Sequence, residues 1–211
     1  MKNKFYIFYL FLILLIMGCG ISKTTLYLHD NYYFKYIDKQ SVCFCGFTYD
    51  ALRNLDGDTL YIPSKIYGLS VVKIEYLGYE SIIGVASSYY YKAVKKIIIP
   101  STVKVIGGFY NCENLQDISL PEGLEIIENT AFKNCKSLKK ITLPSTLKEI
   151  GYCAFSACSS STNITFKDTS GWYIQYGEGI WNIIDVSNST NNANILKIDY
   201  VYDGYRLEKR Y

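Results

Sequence analysis

The sequence predicts a solenoid. Its core would be a curved parallel β-sheet with short turn or helical segments, wound in about four to five coils with N- and C-terminal caps. Three observations carry this reading. Of the 4 prolines, Pro100, Pro121 and Pro144 are spaced by 21 and 23 residues and close parallel phrases, Ile97-Ile98-Ile99-Pro100, Ile118-Ser119-Leu120-Pro121 and Ile141-Thr142-Leu143-Pro144. An offset of 23 also pairs Leu115 with Leu138, Leu124 with Leu147, Ile127 with Ile150, Phe132 with Phe155 and Cys135 with Cys158. Ile164-Thr165-Phe166 repeats the strand once more with Lys167 in place of proline, after which the period is lost. A sidechain pattern at that period marks coils that bury their apolar faces only by stacking.

The chain opens with Lys2 and Lys4, an apolar run Phe5–Met17, and Gly18-Cys19-Gly20. The run is shorter than the about 20 residues needed to span a bilayer and reads as an export signal over residues 1–18. Ile16-Met17-Gly18-Cys19 resembles a bacterial lipobox, which makes Cys19 the candidate lipidation site and anchors the chain to a bacterial membrane. A signal cleaved without lipidation, or an uncleaved anchor, is the alternative. Losing Lys2 and Lys4 with the signal lowers the formal charge from +3 to +1, so no nucleic-acid footprint is expected.

Residues 19–58 read as a tether and N-terminal cap. Val42-Cys43-Phe44-Cys45-Gly46-Phe47 is a predicted strand on which Cys43 and Cys45 are expected to face opposite ways, which argues against their pairing. Asp56-Gly57-Asp58 reads as a tight turn rather than a calcium loop, whose ligand set is absent. Repeats follow over residues 59–167, opening with Leu60-Tyr61-Ile62-Pro63. The step from Pro63 to Pro100 is 37 residues, one coil plus a 14-residue insertion placed around Tyr79 to Tyr91. The next coil is two residues short, with Gly107-Gly108-Phe109 replacing Gly151-Tyr152-Cys153-Ala154-Phe155.

Within a coil, Ile141 and Leu143 should point inward and Lys140 and Thr142 outward. Leu147 and Ile150 then follow in a turn or short extended segment, and Phe155 fills the interior. Cys112, Cys135 and Cys158 hold one phase and read as a ladder of buried free thiols. Residues 168–211 read as a C-terminal cap, with a polar stretch from Ser187 to Asn194 and with Trp172 and Trp181 packing the cap rather than serving a ligand.

These residues resemble the BspA-like leucine-rich repeat family, whose unit runs approximately Leu-x-x-Ile-x-Leu-Pro-x-x-Leu-x-x-Ile-Gly-x-x-Ala-Phe-x-x-Cys. Leu138 to Cys158 follows it closely, and Leu115 to Cys135 departs only at Asn129 in place of glycine. Gly171-Trp172-Tyr173 resembles a tail of some short members. The resemblance implies a leucine-rich-repeat solenoid, exported or surface-attached, and an adhesin-like role toward matrix proteins or partner cells.

No Gly-x-Ser-x-Gly elbow, His-Glu-x-x-His or phosphate loop occurs. The single histidine, His29, lies in the tether and reads as inert. Cys43-x-Cys45 alone is a weak metal signal, and Glu125, Glu128 and Glu149 read as solvated surface. No catalytic residue, metal or cofactor is expected. The candidate binding face is the outward row of strand residues: Tyr61, Lys96, Ile98, Asp117, Ser119, Lys140, Thr142, Asn163 and Thr165. The expected function is protein–protein binding at the cell surface, with a host or neighbouring-cell protein as partner. A periplasmic envelope scaffold without external ligand is the alternative.

Overall fold

The structure, a computed structural model, describes residues 26–30, 32–47, 52, 57–75, 94–159, 162–176, 181–196 and 205–210. Cys19, the signal segment, Asp56 and the stretch 79–91 lie outside the described residues.

Two sheets face one another across the core. The first is all parallel and five-stranded, ordered β4 (Thr59–Tyr61), β7 (Lys96–Ile98), β9 (Asp117–Ser119), β11 (Lys140–Leu143) and β13 (Asn163–Phe166). Alternation along these strands follows the pleat. Ile141 and Leu143 are buried, Lys140 is exposed and Thr142 is half-buried. Pro144 follows directly on its strand and Pro63, Pro100 and Pro121 stand one residue past theirs, where a missing N–H removes no ladder bond.

The second sheet is mixed, which the single parallel sheet expected from the sequence does not include. Its middle is a parallel run of β6 (Leu69–Ile74), β8 (Val105–Ile106), β10 (Ile126–Ile127) and β12 (Glu149–Ile150). Ile74, Ile106, Ile127 and Ile150 are in register and buried. Of the pair Leu147 and Ile150, Leu147 closes the turn, its N–H donating to Pro144 O at 3.1 Å, and Ile150 lies in the short extended segment β12. Lys104 N–H donates to Val72 O, Glu125 N–H to Lys104 O and Lys148 N–H to Glu125 O, each at 2.8 Å, so the backbone groups of each coil are satisfied by its neighbour.

Antiparallel strands extend this sheet at both ends. On one side stand β1 (Tyr27–His29), β2 (Tyr32–Tyr36) and β3 (Ser41–Phe47), with β3 parallel to β6. On the other, β16 (Tyr205–Lys209) pairs with β12, then with β14 (Trp172–Tyr176), which pairs with β15 (Trp181–Ile183). The polar stretch 187–194 folds into most of a helix, α1 (Ser189–Leu196). Asn188 Oδ1 accepts the Asn191 N–H at 3.0 Å, an N-cap bond that starts it. Asn192 is buried on this helix, and its amide donates to Ile164 O and Val186 O, tying α1 to β13.

In the three coils that begin at Pro100, Pro121 and Pro144, the third side is a turn that carries two ladders. Phe109, Phe132 and Phe155 stack with centroids 5.6 and 5.3 Å apart and rings inclined by 13° and 11°. Beside them run Cys112, Cys135 and Cys158, all free thiols. Burial pushes the Cys112 thiol up to about 12 and raises Cys135 well above its ordinary value, so both stay protonated at neutral pH. Cys135 accordingly donates to Phe109 O at 3.2 Å and Cys158 to Phe132 O at 3.1 Å, one coil back each time.

Three expectations need correction. Cys43 and Cys45 do not face opposite ways: residues two apart on a strand share a face, and the two sulfurs lie 4.0 Å apart. His29 is not in a free tether but in β1, stacked on Tyr67 at 3.7 Å. The 14 extra residues are not all near 79–91. Leu60 and Ile74 align with Ile97 and Ile106, so the first coil spends five more residues between its two sheets. They form a hairpin of β5 (Lys65–Ile66) with β6, turning at Tyr67 and Gly68, whose φ values of 52° and 79° make a type I′ turn.

Asn129, the residue that replaces the repeat's glycine, earns its place by bonding. Its Oδ1 accepts the Tyr152 N–H at 2.8 Å across the coil boundary. The same approach leaves no room at Gly151, where a Cβ would lie 2.5 Å from Asn129 N and 2.8 Å from Glu128 C. Backbone cannot swing aside as a sidechain tip can. Gly151→Ala is expected to destabilise the chain by about 1–3 kcal/mol, read as a lowered denaturant midpoint at unchanged m. An unaltered midpoint would show that the coils are not in this close contact.

Candidate functional site

The five parallel strands place their outward residues in two straight rows. Thr59, Lys96, Asp117, Lys140 and Asn163 are in register in one; Tyr61, Ile98 and Ser119, then Thr142 and Thr165, align in the other. All nine residues named from the sequence therefore lie on one face. Thr59, which pairs with Lys96, belongs with them and is missing from the sequence-derived set because its strand opens only one residue before Leu60.

The face is mixed in chemistry. Tyr61 is 67% exposed at one edge. Lys96, Asp117 and Lys140 alternate in sign, with Lys96 Nζ 3.4 Å from Asp117 Oδ2. Such exposed pairs contribute little to stability, but they set a charge pattern that a partner must match. Ile98 and Thr142 are half-buried among them.

Acids outside this face are occupied with neighbouring coils. Glu125 bonds Lys148 at 2.6 Å, Glu128 meets Lys73 at 2.7 Å and Glu149 meets Arg206 at 2.8 Å. The Lys148 ammonium beside Glu125 holds its carboxyl below the usual carboxylate range. These residues, read as solvated surface, are part-exposed there and also pair with another coil or, for Glu149, with the end strand β16. A depression of about 440 Å³ lies beside the short coil, lined by Gly107, Gly108, Tyr110, Glu128 and Lys133 among others. Its carboxylates, Glu75 and Glu128, both approach Lys73.

Trp172 is buried core, packed edge-on against Phe166 with centroids 5.0 Å apart. Trp181 is half-buried on β15 with Arg210 Cζ 4.0 Å from its ring centroid, a cation–π contact within the chain. No helix among the described residues is long and apolar enough to cross a membrane.

The family described as BspA type leucine rich repeat region matches residues 82–199 in six copies, and the chain belongs to it. Membership points to protein–protein interaction. No curated protein gives a significant match. Among solved structures, the chain is similar to a leucine-rich repeat protein of Bacteroides capillosus, at 18% identity and TM-score 0.51, covering 68% of this chain and 99% of that one. It is also similar to the leucine rich repeat protein of T. pallidum, at 26% identity and TM-score 0.47, covering 67% and 64%. A Bacteroides ovatus leucine-rich repeat protein matches at 27% identity and TM-score 0.45, covering 66% and 37%. The chain thus spans 64% and 37% of the length of these last two.

Proposed function

We propose that the chain is a non-enzymatic lipoprotein displayed on a bacterial surface, whose open sheet face binds a protein of a host matrix or a neighbouring cell. In this reading residues 1–18 are the signal, Cys19 carries the lipid, and segments 19–58 and 168–211 cap the repeats of 59–167. The observation that carries it is the pair of in-register rows on the five-stranded sheet, led by Tyr61 and the Lys96–Asp117–Lys140 alternation. A flat, rigid, solvent-facing platform of that kind suits recognition of an extended partner surface.

Its size sets the mode of binding. Strands spaced by about 4.8 Å give a face some 20–25 Å wide, a few hundred Å² against the roughly 800 Å² per partner of a standard interface. One copy should bind weakly, and many anchored copies should bind by avidity, without new contacts.

The test compares monomeric and bead-displayed protein on immobilised matrix proteins and on partner cells. Displayed protein is expected to bind where the monomer scarcely does. The combined change Tyr61→Ala with Lys140→Glu should lower that avidity about 10²-fold while leaving the melting midpoint in place. Absence of binding in both forms would sink the reading. Protease treatment of intact cells locates the solenoid: survival until the envelope is broken would leave an internal scaffold instead.

A further inference from the structure

Cys43 and Cys45 are buried on the face of β3 that turns away from the main core, in a small cluster with Tyr33. Their sulfurs are 4.0 Å apart, and Cys43 Sγ is 3.9 Å from Glu75 Oε2. One donor atom from each of the three residues fits within 4.8 Å of the others. We propose that Cys43, Cys45 and Glu75 hold a metal ion, zinc in the first place, as two sulfur ligands and one oxygen with a fourth position open to water.

The spacing suits the ion. Tetrahedral zinc with Zn–S bonds of about 2.3 Å separates two sulfurs by roughly 3.8 Å, close to the separation already present. Two thiolates also select a soft or borderline ion over calcium or magnesium.

The frame is backbone, not mobile sidechain. Glu75 follows β6 directly, and its N–H donates to Phe44 O at 3.0 Å, the carbonyl between the two cysteines. The register shifts at both cysteines: against β2, Tyr33 pairs with Gly46 and Phe34 with Phe44, leaving Cys45 as the extra residue, and against β6 the shift falls between Val42 and Cys43. Such bulges re-aim sidechains locally. Strand alternation puts both sulfurs on the outer side while Val42 and Phe44 stay in the core, and past the bulge at Cys45 Phe47 turns back into it.

An outer layer is in place as well. Lys35 Nζ donates to Glu75 Oε2 at 2.9 Å and orients the carboxylate. With a divalent ion, two thiolates and one carboxylate, the Lys35 charge brings the cluster to neutrality, and Lys73, 3.8 Å from Glu75, is balanced by its own pair with Glu128. Tyr33, with Leu26 and Ile37 packed against the pair, supplies an apolar wall. Binding would exchange two thiol protons, released to solvent, for the ion. The bound ion would staple β3 to the first coil.

The experiment uses the reduced, chelator-stripped protein with Co²⁺ as a spectroscopic probe and Zn²⁺ as competitor. One Co²⁺ per chain is expected, with a thiolate-to-cobalt charge-transfer band and tetrahedral d–d bands that Zn²⁺ abolishes. Zn²⁺ should raise the melting midpoint. Cys43→Ser and Cys45→Ser should each remove the band. Glu75→Gln should weaken binding at least as much as the about 10–100-fold typical for loss of an outer partner, at an unchanged midpoint in chelator. Cys153→Ser, outside the cluster, should bind as the parent does. A wild-type chain that takes up no stoichiometric ion overturns the proposal. So does a band that persists in the double serine variant. Re-formation of a Cys43–Cys45 disulfide after reduction, with no metal uptake, would assign the pair to redox chemistry instead.

Discussion

Phe132→Ala is expected to destabilise the chain by about 3–5 kcal/mol. Phe132 is fully buried at the centre of the phenylalanine column, with Phe109 on one side and Phe155 on the other. Near-parallel rings at 5.3–5.6 Å are offset stacks, which add to the area that burial removes from water. The hole left by alanine cannot close easily. Phe109 N–H is held by Ala131 O, and Phe132 N–H by Ala154 O at 2.7 Å, so the coils keep their spacing when the ring is gone. At about 2–4 °C per kcal/mol for a chain of this size, the melting midpoint should fall by roughly 6–20 °C. Tyr61→Ala, on the exposed face, should stay within about 0.5 kcal/mol of the parent. Equal midpoints for Phe132→Ala and the parent would show that this column is not the spine of the core.

The repeat was legible because each coil obeys the same burial rule. Ile97, Ile118, Ile141 and Ile164 are inward in the structure for the reason that made them recur, as are the phenylalanines of the turns with Cys112 and Cys135, while Cys158 at the end of its ladder is only part-buried. The outward row was legible as their complement. What a period cannot carry is pairing between unlike segments. Lys209 N–H donates to Lys148 O, and nothing in either local sequence announces that β16 will run antiparallel beside β12. The helix at Ser189–Leu196 was hidden for a related reason. Its polar residues suggest a loop, yet Asn192 is buried and spends its amide on backbone carbonyls of Ile164 and Val186.

The cysteine pair shows the same limit at the level of a site. Glu75 stands 32 residues from Cys43 and joins it only because β3 and β6 are neighbours. Period two alone places Cys43 and Cys45 on one face, opposite Val42 and Phe44. The two-residue step was readable from the strand; the bulges and the third ligand needed the sheet.

Trp172→Ala should cost a similar amount, about 3–5 kcal/mol, but fail differently. The indole is 1% exposed, edge-on to Phe166, and its Nε1–H donates to Asp168 O at 2.9 Å. Trp172 also pairs across β14 and β16 with Lys209, whose buried ammonium bonds the Asp168 carboxylate. That ion pair holds the Asp168 carboxyl well below its ordinary value. Losing the ring opens this corner to water and loosens β14 and β16 together. Contacts in a solenoid are nearly all between neighbours, so the damage should begin at the C-terminal end. Amide exchange at Ile174 and Leu207 should accelerate strongly while Ile127, two strands inward, changes less. Trp172→Phe, which keeps an aromatic ring and loses the indole bond, should recover most of the stability, short by about 1 kcal/mol. Uniform acceleration along the chain would mean that the end strands and coils unfold as one unit, and that this corner has no stability of its own to lose.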